Sequence, residues 1–494
     1  MQGISSDNLV TYSNKLLKSL LILLAALCLG IVLYALTTPR ISIYFIAFLF
    51  FLVCLPFLLI YHEFFEKVFV GILLLTLPLL IDKTINMTEH SGGARGFIIS
   101  LHDIALAILV LLWFYRMFVH KERKIRLFKN YSIPVLGILI MSLLSMAYAA
   151  YPMFSVYEFI EIVKMALVFL YLANYIVETG HIRFIVIFLM VGLFIEGTLV
   201  VMEAVMGHSL NITALGMRVR DDLAPIKSSF HRVSGTLGGA NGLAWYLCSL
   251  LPVPFTLFFL KTKKKLKMII LFIFLLGLLS LILTYSRGGW IGFIIGVLIV
   301  LALHYKGLRS VNKVVIPIVF IAIVCSSTVL IVYTSNPIKA RLTEEDRGSA
   351  YSRIMLMEVA FEMIKSNPII GVGLNNYTEV HHNYDVGVDK ITQYYPVPVH
   401  NVYLQLTAEI GIPGLLFFLG FIGHIFIRSI LLIKRGKGLS ETVLIGLLGG
   451  ITGFLINGFV ENSSLGNYYL LTLWSFCGIA VGIVEQKKLD EKVL

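Results

Sequence analysis

An all-α polytopic membrane bundle is the fold class that this sequence predicts, and three observations predict it. Of its 494 residues, 58% are hydrophobic and only 14% charged, with a mean hydropathy of +0.89. Apolar runs of about twenty residues, the length a helix needs to cross a bilayer, recur from one end of the chain to the other. No segment alternates apolar and polar residues as a barrel strand would, and only helices and closed barrels satisfy their own backbone in lipid. A soluble protein is excluded.

Taken in order, the apolar runs place spans near 16–36, 41–61, 68–81, 97–119, 131–150, 156–177 and 182–206. The second half adds 241–260, 268–285, 290–305, 313–334, 402–433, 441–461 and 466–484. That makes about 14 transmembrane helices, or 12–14 in all, because the short third run carries Pro78 and suits a re-entrant or tilted segment. The first run, Leu20 to Leu36, follows Lys15 and Lys18, is long for a signal segment, and has no small-x-small cleavage site after it. It reads as an uncleaved span. The whole chain, 1–494, reads as a single membrane bundle.

The formal charge of +12 and pI near 9.3 could suggest nucleic acid, but the basic residues cluster beside spans. Arg123, Lys124 and Arg126 form one cluster, Lys263, Lys264 and Lys265 a second, Lys306, Arg309 and Lys313 a third, and Lys434, Arg435 and Lys437 a fourth. The intervening short connections hold only Arg40, Lys83, Arg95 and Arg287. The positive-inside rule puts the basic set and both termini in the cytoplasm, and the two larger loops, 207–240 and 335–399, outside. No nucleic-acid motif accompanies the charge, so no nucleic-acid partner is expected. The five cysteines, Cys28, Cys54, Cys248, Cys325 and Cys477, all fall in apolar runs and read as packing residues.

Within the loop at 335–399, Ser349 to Lys365 interleaves Ile354, Met355, Met357, Val359, Phe361 and Ile364 with Arg353, Glu358, Glu362 and Lys365. That is an amphipathic helix stopped at Asn367-Pro368, either lying on the outer membrane surface or capping the bundle.

His400 stands where this polar loop meets a long apolar helix. A neutral imidazole can take a proton from a hydroxyl near neutral pH. Asn401 suits the helix N-cap, with orientation of the imidazole or a sugar contact as its other possible duties. Glu409, nine residues on, lies on the opposite face and is expected to hold a neighbouring helix. Arg287, in Ser286-Arg287-Gly288-Gly289-Trp290, lies between two spans on the outer side. It reads as a diphosphate ligand, because guanidinium forms forked, charge-assisted bonds to phosphate oxygens. Gly288 and Gly289 would let backbone N–H groups approach the same anion; the alternative is a tight turn with a snorkelling arginine. Glu161 and Lys164 can pair on one helix face. Glu196 and Glu203, seven residues apart, share a face and suit a proton relay in a transporter.

His400-Asn401 with Gly411 and Gly414, the Ser286–Trp290 segment, Arg232 with Gly235, Thr236 and Asn241, and Pro368 with Gly371, Gly373 and Tyr377 together resemble the O-antigen ligase and polymerase family. The matches span roughly residues 230–415, and fourteen spans exceed the twelve typical of that family. The resemblance implies an integral membrane enzyme that transfers a glycan from a polyprenyl-diphosphate-linked donor to a hydroxyl of a glycan or lipid acceptor. His400 would deprotonate or orient the acceptor, and Arg287 and Arg232 would bind the diphosphate and stabilise it as it departs, with inversion at the anomeric carbon. A polysaccharide polymerase is favoured over a ligase, and a flippase of lipid-linked glycan is the alternative. Membrane lipids and polysaccharide assembly proteins are the further partners expected. No outer carboxylate cluster is visible in the sequence, so neither a metal nor another cofactor is expected.

Overall fold

The protein's structure is a computed structural model that describes residue 55, residues 57–121, 124–210, residue 212, and residues 232–305, 347–387, 390–433, 438–462 and 469–493. The spans expected at 16–36 and 313–334, and most of that at 41–61, lie outside the described residues. So do Cys28, Cys54 and Cys325, most of the first outer loop, and the basic runs at 306–313 and 434–437.

The described chain is mostly helical. Helix α1 (His62–Leu75) leads through a two-stranded antiparallel hairpin, β1 (Asp82–Ile85) and β2 (Phe97–Ser100), into α2 (Leu101–Tyr115). Four longer elements follow: α3 (Lys129–Met146), α4 (Pro152–Thr179), α5 (Ile182–Met206), and the pair α6 (Ala240–Leu250) and α7 (Pro252–Leu257). Then come α8 (Lys264–Leu283), α9 (Arg287–Tyr305), α10 (Arg347–Ser366), the short α11 (Tyr377–Val380) and α12 (Ile391–Tyr394). The chain closes with α13 (Val402–Ile433), α14 (Leu439–Asn457) and α15 (Tyr469–Val493). Among the described residues nine helices, α2 to α5, α8, α9 and α13 to α15, are long and apolar enough to cross a bilayer. Two expected spans differ. The run at 68–81 ends as α1, only 14 residues long, followed by the hairpin. The run at 241–260 splits at Pro252, because Pro252 and Pro254 have no N–H to continue the ladder.

Contacts divide the chain into two units, residues 1–73 with 105–125, and residues 74–104 with 126–494. In the first, Arg116 Nη1 donates to Glu66 Oε2 at 2.9 Å. In the second, the expected Glu161–Lys164 pair forms at 2.7 Å, and Lys164 Nζ also reaches Asp103 at 2.9 Å. A buried cation needs such partners, since desolvation otherwise disfavours its charge.

Small residues set the closest helix approaches. Gly292 and Gly296 of α9 face the Gly453 and Gly449 carbonyls of α14, leaving no room for a Cβ. Helix α13 breaks at Ile410–Gly411, where Gly411 has φ 77°, ahead of Pro413. The segment 368–373 fills the break: Val372 N–H donates to Ala408 O (2.8 Å), Gly373 N–H to Glu409 O (3.2 Å), and Ile412 N–H to Pro368 O (2.8 Å). Two glycine-bearing stretches far apart in sequence are thus one interlocked element. Glu409, expected to hold a helix, accepts the Asn375 N–H at 3.1 Å and so holds this loop instead.

Helix α10 caps the bundle. Its Leu356, Val359, Ala360 and Met363 are buried with Val372, Tyr377, Ile391, Val399 and Ala408. Ile354 and Phe361, expected on the apolar face, are exposed, so the buried stripe is rotated from the one read in the sequence. Apolar residues nearly encircle this helix, and its packing partner selects the face.

Candidate active site

His400 immediately precedes α13, and its neighbour Asn401 caps that helix. Asn401 Oδ1 accepts the N–H groups of Tyr403 and Leu404, each at 3.0 Å, and its Nδ2 donates to Phe459 O at 3.3 Å. Asn401 is therefore the N-cap expected at this polar-to-apolar junction. Val402 N–H donates to Gly458 O at 2.9 Å. The stretch that leaves α14, residues 457–461, thereby lies along the entry to α13.

That stretch ends in Glu461, which sequence reasoning missed. Glu461 Oε2 lies 3.9 Å from His400 Nδ1, and its Oε1 lies 3.9 Å from an Arg353 guanidinium nitrogen on α10. The His400 side chain is 27% exposed and that of Glu461 is 11% exposed. Nδ1 is the enclosed ring nitrogen of His400 and has no hydrogen-bond partner in the protein. Burial, with the Arg353 charge adding to it, pulls His400 down to about 4. Burial pushes Glu461 up to about 7, against the opposing pull of Arg353, an Asn241 hydrogen bond and Arg232. The imidazole is thus neutral at neutral pH, and the carboxyl beside it is near its midpoint.

Arg232 reaches the same place from the other side. Its Nε donates to Thr284 O at 3.0 Å, and Nη2 donates to Asn241 Oδ1 at 2.8 Å. Asn241 in turn hydrogen-bonds the Glu461 carboxyl. A continuous polar chain, Arg232 to Asn241 to Glu461 towards His400, joins the motifs that the sequence shows only as separate stretches. Thr284, which anchors Arg232, belongs to the turn that leads into α9. Tyr285 in that turn has φ 52°, and Ser286 Oγ faces the Gly289 N–H at 3.4 Å. Arg287, half-buried, is the first residue of α9.

Gly288 and Gly289 have a duty in packing. A Cβ on Gly288 would collide with Asn457 Oδ1, and one on Gly289 would lie 2.7 Å from Ala244 Cβ. Both are packing positions that let α9 close on its neighbours. Asn241, in the first turn of α6, turns its amide to Arg232 and Glu461.

Residues 271–419 match the family model of O-antigen ligase (Wzy_C). That segment, under a third of the chain, is similar to O-antigen ligases. Among curated proteins the chain has no match. With nine helices among the described residues long and apolar enough to cross a bilayer, the match supports a multi-pass membrane protein.

The matched segment contains Arg287, Gly288, Gly289, Arg353, His400 and Asn401. Arg232, Asn241 and Glu461 lie outside the matched residues and reach them through the contacts above. Glu461 stands alone at the end of an apolar run, so no local pattern distinguishes it. Its only sequence signal is a carboxylate at the same end of the bundle as His400. At the opposite end of α14, Lys487 reaches Glu441 at 3.3 Å.

Proposed function

We propose that this protein is a cell-envelope glycosyltransferase that moves a glycan from a polyprenyl-diphosphate carrier to an acceptor hydroxyl on the outer side of the cytoplasmic membrane. The observation that carries the reading is the convergence of His400, Glu461, Arg353, Asn241 and Arg232 at one end of the bundle, within and around the segment similar to O-antigen ligases. The outward placement rests on the basic residues of the opposite end.

In this reading Nε2 of neutral His400 accepts the hydroxyl proton as the acceptor oxygen bonds to the anomeric carbon. The bond from that carbon to the diphosphate oxygen breaks, and the polyprenyl diphosphate leaves with the electron pair. Attack opposite the leaving group inverts the anomeric centre. A diphosphate is a good leaving group, so a weak base suffices, and ionised Glu461 stabilises the imidazolium that forms. Arg287 and Arg232 bind the diphosphate and stabilise its growing charge. The acceptor is another lipid-linked glycan in a polymerase, the activity favoured here.

The transporter reading rested on Glu196 and Glu203 as a relay. Both carboxylates are engaged by donors of the turn after Arg232, which removes that support. The deciding experiment uses the purified protein in lipid vesicles with a lipid-diphosphate glycan and no nucleotide sugar. Longer glycan together with released polyprenyl diphosphate is the expected result; movement of intact donor with no new glycosidic bond would refute the transferase.

A further inference from the structure

Two buried carboxylates in α5 have no role in the chemistry above, yet their surroundings are specific. Glu196 and Glu203 are spaced by two helical turns and are 0% and 1% exposed. Burying a carboxylate is costly unless donors surround it. Among the described residues, both are met by donors from the turn that follows Arg232. Glu203 Oε2 accepts the Gly235 N–H at 2.7 Å and the Ser234 N–H at 3.1 Å, and Oε1 lies 3.4 Å from Ser234 Oγ. Glu196 Oε1 accepts the Thr236 N–H at 2.9 Å, and Oε2 accepts the Thr236 hydroxyl at 2.6 Å.

Three successive backbone N–H groups thus point at carboxylates, an arrangement that elsewhere binds external anions. In this chain the anion is built in. Gly235 is required by the same contact: its φ is 56°, and a Cβ there would collide with Glu196 Oε1. Arg232 is two residues before the first anchored amide, and Asn241, its hydrogen-bond partner, is five residues after the last. A glutamine at either position keeps one oxygen for the amide N–H groups but loses the negative charge, and its NH2 must be accepted by the Ser234 or Thr236 hydroxyl.

We infer that Glu196 and Glu203 are positioning residues, a carboxylate clasp that fixes the Ser234–Thr236 turn and thereby aims Arg232 at the donor diphosphate. The inference rests on the proposed role of Arg232. It accounts for why α5 retains two buried carboxylates at the cost of desolvating them.

The test compares wild type, Glu203→Gln, Arg232→Ala and the double variant, by amide hydrogen exchange and by transfer kinetics with a polyprenyl-diphosphate donor. Glu203→Gln should speed exchange at Ser234 and Gly235 and raise the donor KM about tenfold, the size expected for a lost charge-assisted bond, with kcat changing less. In the Arg232→Ala background it should add no further loss. A full additional loss in that background, or unchanged exchange across 233–237, would overturn the clasp. Should Glu203→Gln fail to fold, Thr236→Val removes the hydroxyl's contacts with Glu196 and Pro78 O, keeps the backbone N–H, and should show the same pattern at smaller size. A wild-type protein that neither binds the donor nor transfers glycan refutes the function; the clasp then stands or falls on whether faster exchange is confined to residues 233–237.

Discussion

Nδ1 of His400 faces Oε2 of Glu461 across 3.9 Å, the one entering α13 and the other just past the end of α14. An ionised carboxylate at that position favours the proton on Nδ1 and leaves Nε2 as the basic nitrogen. The pair is therefore competent only when Glu461 has lost its proton.

The pH profile should report that event. With Glu461 pushed up to about 7 by burial, transfer should rise with pH through an apparent pKa near 7, and not through that of the imidazole, which lies at about 4. Glu461→Gln should lower the rate and flatten this limb; a variant that keeps the limb assigns it to another group. Stability should move the opposite way. A carboxyl with a raised pKa contributes stability that is complete below its ordinary 4.5 and is lost as pH rises through about 7. Glu461→Gln should therefore melt closer to wild type at pH 5 than at pH 8, where the glutamine variant should be the more stable. His400, with its pKa lowered from 6.5 to about 4, contributes stability present above 6.5 and lost as pH falls towards 4.

The glycine contacts of α9 give a purely structural counterpart. A Cβ on Gly292 would lie 2.6 Å from Gly453 O. Gly292→Ala should cost about 1–3 kcal/mol through overpacking and lower the thermal midpoint. The pH limb assigned to Glu461 should be unchanged in the folded fraction. No loss of stability would mean that α9 and α14 can separate without penalty.

How much of this was legible in the sequence depends on whether the signal is local. Most of the observed spans follow from continuous apolar runs, and the Asn401 cap follows from one residue at a polar-to-apolar junction. The Glu161–Lys164 pair follows from helical spacing. Glu461 and Asn241 were not legible as site residues, because their partners come from other helices and no spacing rule links them. The buried face of α10 was misread for a related reason: Ile354 and Leu356 are equally apolar, and only contact with Val372 and Ala408 selects between them. The packing duty of Gly288 and Gly289 was not legible because the two uses of glycine, exposing backbone and admitting a neighbour, are identical in sequence.

Arg287 separates charge from geometry. Arg287→Lys keeps the cation but loses the planar fork, so transfer should fall roughly ten- to over a hundredfold, the loss of about 1.5–3 kcal/mol. The donor KM should carry much of that change. Full activity in both Arg287→Lys and Arg287→Ala would reduce the residue to a snorkelling anchor at the start of α9.

The sharpest test is at His400 itself. General-base assistance contributes about 10²–10⁴-fold, so His400→Ala should nearly abolish transfer while the arginines still bind donor. His400→Gln keeps a hydrogen-bonding group but cannot take up a proton near neutral pH. If the ring acts only by orienting the acceptor, Gln should retain substantial activity and Ala should not. If proton transfer is required, both fail alike, and Glu461→Gln in a His400→Ala background should add no further loss, since the carboxylate acts through the imidazole. Glycan length and released polyprenyl diphosphate should be followed together, from about pH 5.5 to 8, a range that brackets the ordinary histidine value. A His400→Ala protein as active as wild type, with the limb near 7 intact, would remove His400 from the chemistry and leave Glu461 as the candidate base.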